Sequence, residues 1–352
     1  MPGGAIQPTP IQVLCLVVLG LGTASAQPKL EPQKSPTDAS LRGIAAVNER
    51  VAWASGTKGT VLRTVDSGVT WQVLPVPNAE DLDFRDVHAE SDQLAYVLSA
   101  GPGPKAKLYK TTDGGKSWEL LLTNPDASGF LDAIAFFDAK RGLIMGDPVN
   151  GQFVILRTED GGKTWQRQTT PPAMPGEGGF AASGTCLVVE GRQGAWFATG
   201  GVGGARVFRS SDGGQTWQAV QTPVRTNRQT TGIYGLAVRG KIVVAVGGDY
   251  KQPESNDATA AWSDDSGDRW SAITGPGGFR SGVVLAPDGK LVLTVGSHGA
   301  SYSEDRGRTW KALGDAGYHA IAITPSGIGW AVGSGGRIAR VQLTAAYQRS
   351  HQ

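Results

Sequence analysis

The chain has 352 residues, a formal net charge of +2 and 39% hydrophobic residues, enough for one large core or two ordinary ones. A charge this close to neutral gives no basis for binding nucleic acid or an anionic membrane surface. Two cysteines, Cys15 in an apolar N-terminal run and Cys186, exclude an internal disulfide framework and a thiolate metal cluster.

Residues 1–26 read as a signal peptide. Ile11–Gly22 is a short apolar run, and Ala24-Ser25-Ala26 supplies a small-residue cleavage site before Gln27. The run is too short for a membrane span, although Met1–Pro10 lacks the usual Lys or Arg. The expected location is therefore secreted or periplasmic, with no membrane span in the mature chain. Cys186 then stands alone, and a small buried thiol is the preferred reading over a nucleophile. Residues 27–40 form a lead-in segment in which the stretch around Leu30 is a candidate closing strand.

From 41 to 343 one unit repeats. Its signature is Ser/Thr-x-Asp-x-Gly-x-x-Trp, found at Thr64–Trp71, Thr111–Trp118, Thr158–Trp165, Ser210–Trp217, Ser263–Trp270 and Ser303–Trp310. The Asp and Ser/Thr side chains suit the unpaired N–H groups of a tight turn. The Gly reaches positive φ without strain, and the Trp carries apolar area into the next strand. One or two carboxylates per loop are too few for a calcium site. The Trp residues are spaced 47, 47, 52, 53 and 40 apart, a period expected of β-propeller blades. The 51 glycines fit many tight turns between apolar runs.

Opening strands recur at Leu41, Phe84, Phe130, Phe180, Ile233, Phe279 and Tyr318, which gives seven blades, with six as the alternative. The seventh unit, with its third strand at Arg337–Leu343, has no signature turn and no Trp-led fourth strand. Residues near 28–34 are expected to supply that strand and close the ring, removing an exposed sheet edge. Residues 344–352 are a C-terminal tail. Insertions at Pro171–Gly179, Ala219–Thr231 and Asp249–Asn256 lengthen loops, where rigid scaffolds often carry function.

This signature is the Asp-box, or BNR, repeat. The chain resembles the photosystem II stability/assembly factor-like family and, more distantly, sialidases and xyloglucan-degrading enzymes. Blade wording such as Trp330–Arg340 (WAVGSGGRIAR) carries the first resemblance. It implies a seven-bladed scaffold that holds a protein partner and does no chemistry. The sialidase resemblance implies three arginines around a substrate carboxylate, on a six-bladed ring. The family's early Arg-Ile-Pro motif has no clear counterpart here.

In a propeller the starts of the first strands share one face, opposite the Asp boxes. That topology gathers Arg42, Arg85, Arg280, Tyr234, Tyr250 and His319 as ligand-binding candidates. The three arginines follow Leu41, Phe84 and Phe279 directly, and converging guanidinium forks suit a carboxylate, sulfate or phosphate. If the protein is an enzyme, Asp86, Asp132 and Glu177 are the acids that a glycosidase would use. The competing structural reading pairs those acids with the arginines around a solvated entrance.

A metal site from His298, His319, Asp147 or Asp249 has thin support, and so has a Ser183–His319–Asp132 triad. His88 reads as structural. No pattern asks for a cofactor or a metal. Two functions stay open: a monomeric scaffold for a protein or anionic ligand, and a glycoside hydrolase acting on an anionic or plant-type carbohydrate.

Overall fold

Apart from Met1, the computed structural model describes residues 27–343. The expected signal peptide, with Cys15, and the tail 344–352 lie outside the described residues. Seven antiparallel sheets follow one another along the chain, each run from an inner to an outer strand. The first holds Leu41–Ala46, Ala52–Gly56, Val61–Thr64 and Gln72–Val73; the second holds Asp83–Ala89, Ala95–Ala100, Lys107–Thr111 and Glu119–Thr123. First strands of consecutive sheets pack side by side, and that of the seventh returns to that of the first. The molecule is thus a closed seven-bladed ring.

Why the sheets stand radially is visible in the core. Seven apolar clusters fill the seven gaps between neighbouring blades. The cluster joining blades seven and one brings Trp330 and Val332 against Leu41, Ala54, Leu62 and Trp71. Trp330 is fully buried and meets Trp71 edge-on at 6.4 Å. Burial of such a ring stabilises the joint by at least about 2 kcal/mol.

The ring closes with Lys29–Gln33, which pairs antiparallel with Ile338–Gln342 as the outer strand of blade seven. Gln33 fastens this strand to the first Asp box. Its Nε2 donates to the Ser67 carbonyl at 3.1 Å. Its Oε1 accepts from the indole N–H groups of Trp330 at 3.1 Å and Trp71 at 3.3 Å.

The Asp boxes work as the residue types require. In the second box Thr111 Oγ1 accepts from the Gly115 N–H at 2.8 Å and donates to Asp113 Oδ1 at 2.9 Å. Asp113 in turn accepts from the N–H and hydroxyl of Ser117 at 2.9 and 2.6 Å. Gly115 has φ of 84°, where a side chain is strained, and its missing side chain leaves room for Leu74.

Two features depart from the sequence reading. The opening strand of blade four begins at Leu187, not at Phe180. Gly184 takes a positive φ of 77° and turns the chain between them. The insertion Pro171–Gly179 is also not a free loop. Its Glu177–Gly178 pairs with Gly200–Gly201, which joins the inner edge of blade five at Gly232.

Candidate functional site

The face opposite the Asp boxes holds a cavity of about 520 Å³ on the ring axis. A repeated backbone irregularity builds it. The pairing of first and second strands skips a residue between Leu41 and Gly43, Phe84 and Asp86, Leu131 and Ala133, and Ile233 and Gly235. The extra residues are Arg42, Arg85, Asp132 and Tyr234, and all four line the cavity. A bulge re-aims its side chain out of the pleat, and here the bulges turn four side chains toward one axis.

Ser281 and His319 bring blades six and seven to the same cavity. Tyr250 joins them from the blade-five insertion, so Arg42, Arg85, Asp132, Tyr234, Tyr250 and His319 share one mouth.

The mouth is divided by chemistry. Blades one and two are basic. Arg85 donates from Nε to Asp83 at 2.8 Å and from a terminal nitrogen to the Ala181 carbonyl at 3.2 Å. Arg42 has a buried Nε without a hydrogen-bond partner. Burial, and then the nearby Arg85 charge, lowers its pKa, while Asp83 opposes the shift.

Blade three is acidic. Asp132 is 2% exposed, and its Oδ2 has no hydrogen-bond partner. Burial, and then the neighbouring Asp147 charge, pushes the Asp132 carboxyl well above the usual carboxylate range, against Arg85 and the Ala181 N–H. Asp147 accepts from the Gly179 N–H at 2.7 Å, and burial raises its pKa too.

The wall over blades four to six is aromatic. Phe180 and Tyr234 stack at 3.9 Å and 11°, and Phe279 meets Tyr234 edge-on at 4.8 Å. Burial raises the pKa of Tyr234, whose hydroxyl donates to the Thr230 carbonyl at 2.9 Å. Tyr250 remains 47% exposed at the rim. His319 shares a hydrogen bond with Ser334 at 2.8 Å. Burial, and then the charges of Arg42 and Arg85, bring it down to about 4, so it sits neutral near them.

Three of the proposed residues stand elsewhere. Arg280 is 3% exposed and turns away from the axis. It donates to the carbonyls of Phe279 at 2.9 Å and Pro276 at 2.8 Å, and to Ser301 Oγ at 2.9 Å. In blade six the glycine paired with the second strand is Gly282, opposite Val295, as Gly43 is opposite Ser55 in blade one, so Ser281 and not Arg280 stands in the place of Arg42 and lines the mouth. A one-residue offset sends a strand side chain to the other face. Burial lowers Arg280 to about 10.

Glu177 is buried in an ion pair with Arg206, accepting also from Thr199 Oγ1 at 2.6 Å and the Met174 N–H at 2.8 Å. It pins the insertion to blade four rather than facing a ligand. Asp86 accepts from the N–H groups of Val87 and Ile134, both at 2.8 Å, and so ties blade two to blade three. Burial pushes it up to about 7.

The remaining polar candidates are also occupied. Ser183 donates to the Ser281 carbonyl at 2.6 Å, and His88 packs on Phe136 at 5.1 Å. Among the described residues no His, Cys, Asp or Glu group could hold a metal ion, and no helix is long and apolar enough to cross a membrane. Phe180 and Phe279 escape sequence reasoning. Each heads an opening segment, and that position is the available signal.

Three comparisons bear on this arrangement. Residues 86–234 match the family described as photosynthesis system II assembly factor YCF48. A structure of YCF48 bound to D1 peptide is 18% identical, covers 90% of this chain and 97% of its own, and superposes with a TM-score of 0.65. YCF48 from Cyanidioschyzon merolae is 18% identical, with 89% and 99% covered and a TM-score of 0.63. An ancestral GH74 enzyme is 16% identical, covers 92% of this chain and 47% of its own, and has a TM-score of 0.63. Identities this low speak for the fold alone. A search of curated proteins returns no match.

Proposed function

We propose that this Asp-box propeller, which resembles the YCF48-type assembly factors, is an exported scaffold that holds a segment of a partner protein at its channel mouth. The observation that carries the reading is the bulged ring. Arg42, Arg85, Asp132 and Tyr234 are turned out of four different blades onto one cavity, each at the cost of a broken ladder register. The similar protein solved with a bound D1 peptide supports a peptide as the kind of ligand. The signal-peptide pattern of residues 1–26 supports a secreted or periplasmic place of action.

The test replaces Tyr250 by a photo-crosslinking amino acid and identifies the captured chain by mass spectrometry. The expected result is one recurrent peptide segment, lost when Arg42→Glu and Arg85→Glu are combined in a protein that still folds. Capture that survives both charge reversals would move the partner site off the mouth.

The hydrolase reading keeps one supporting observation. Asp132 has a second carboxylate, Asp147, at the same cavity, although Asp86 and Glu177 are occupied elsewhere. Turnover of an anionic or plant-type oligosaccharide, abolished by Asp132→Asn and by Arg85→Ala, would establish it.

A further inference from the structure

We propose that the mouth recognises a zwitterion, an α-amino acid with an apolar or aromatic side chain. Its carboxylate lies against Arg42 and Arg85, its ammonium against Asp132 and Asp147, and its side chain on the Phe180–Tyr234 wall. The inference rests on the mouth being a ligand site and names what that site reads.

Three observations carry it. The cavity is divided in rotational order: two cations on blades one and two, two carboxylates on blade three, then the aromatic wall. A ligand that satisfies only one sector leaves the others unanswered.

The acidic sector holds an open valence. Asp132 is 2% exposed, and its Oδ2 lacks any hydrogen-bond partner. Buried polar atoms almost always find one, and leaving one unmade is costly. Arg85 does not fill the role, because its Nε and one terminal nitrogen go to Asp83 and the Ala181 carbonyl, which leaves its other terminal nitrogen for the ligand carboxylate. An ammonium between Asp132 and Asp147 would supply the missing donor and favour the ionised form of both carboxyls, which burial opposes. The basic sector is open in the same sense, since the buried Nε of Arg42 is also without a partner.

Size agrees with a small ligand. The cavity of about 520 Å³ falls inside the range usual for such sites, roughly 300–1,000 Å³. The aromatic stack offers a flat apolar face beside the charged sectors.

Isothermal titration of the full chain tests this with four probes. L-phenylalanine carries all three groups. 3-Phenylpropionate lacks the amine, L-phenylalaninamide lacks the carboxylate, and N-acetyl-L-phenylalanine stands for the C-terminus of a peptide. The expected result is binding of L-phenylalanine, with each analogue weaker by about tenfold or more. Asp132→Asn should weaken L-phenylalanine and leave 3-phenylpropionate unchanged. If that variant does not fold, Asp147→Asn makes the same test.

Equal binding of 3-phenylpropionate or N-acetyl-L-phenylalanine would overturn the proposal, because the amine would then not be read. So would no heat from L-phenylalanine at ~10 mM. Crosslinked peptide capture that persists while L-phenylalanine stays silent would remove the zwitterion and leave the scaffold reading standing.

Discussion

Replacing Gln33 by alanine should loosen the closure of the ring. Gln33 links the closing strand, the first Asp box and the core of blade seven at once. Its loss leaves the Trp330 indole N–H, on a fully buried ring, without its acceptor. An orphaned buried donor costs about 1–3 kcal/mol. Trp71, 7% exposed, and the Ser67 carbonyl lie nearer to water, and each adds about 0.5 kcal/mol.

The total of about 2–4 kcal/mol corresponds to a fall in melting temperature of roughly 4–8 °C at about 2 °C per kcal/mol for a domain this large. Gln33→Glu keeps the acceptor for both indoles and loses only the donor to Ser67, so its fall should be clearly smaller. Differential scanning calorimetry measures both, and hydrogen exchange at residues 29–33 should rise more in the alanine variant. A melting temperature for Gln33→Ala within about 1 °C of the parent, or a glutamate variant worse than alanine, would refute the argument.

Other outcomes follow from the buried acids. Glu177→Gln breaks the buried pair with Arg206 and should destabilise the protein by about 3–5 kcal/mol in urea unfolding. Adding Arg206→Met should return part of that loss, and a double variant worse than the single would contradict the charge explanation. Asp86 holds its proton to about pH 7 in the folded chain, whereas an unfolded Asp releases it near ~3.9.

Folding therefore takes up a proton in that interval, and the contribution to stability is greatest below it and falls as pH rises toward about 7. Asp132 acts in the same sense and is present in both proteins when Asp86→Asn is compared with the parent. The stability difference should shift in favour of the variant between pH ~4.5 and ~7.5. A difference that does not change with pH would show that Asp86 does not titrate in this way.

The ring was legible because its signals are local. Each box places Asp, Gly and Trp at fixed offsets, and the missing eighth-position Trp in the last unit pointed to the N-terminal segment as the closing strand. The site was legible only by register, and register is where a bulge misleads. Arg42, Arg85 and Arg280 all follow an apolar residue, yet Arg280 lies one position earlier against its second strand, and Ser281 takes the axial place in blade six. Glu177 looked like a mouth acid because its insertion looked like a loop, and its partner Arg206 comes from a strand well along the chain. The aromatic wall depends on a contact between Phe180 and Tyr234 across two blades, which no spacing in the sequence encodes.

The bulges have one further consequence. Arg42, Arg85, Asp132 and Tyr234 are each skipped by the ladder beside them, so their identity is not tied to strand pairing. Substitution there rewrites the chemistry of the entrance while the blades beneath keep their register. The ring behaves as a fixed chuck with interchangeable jaws.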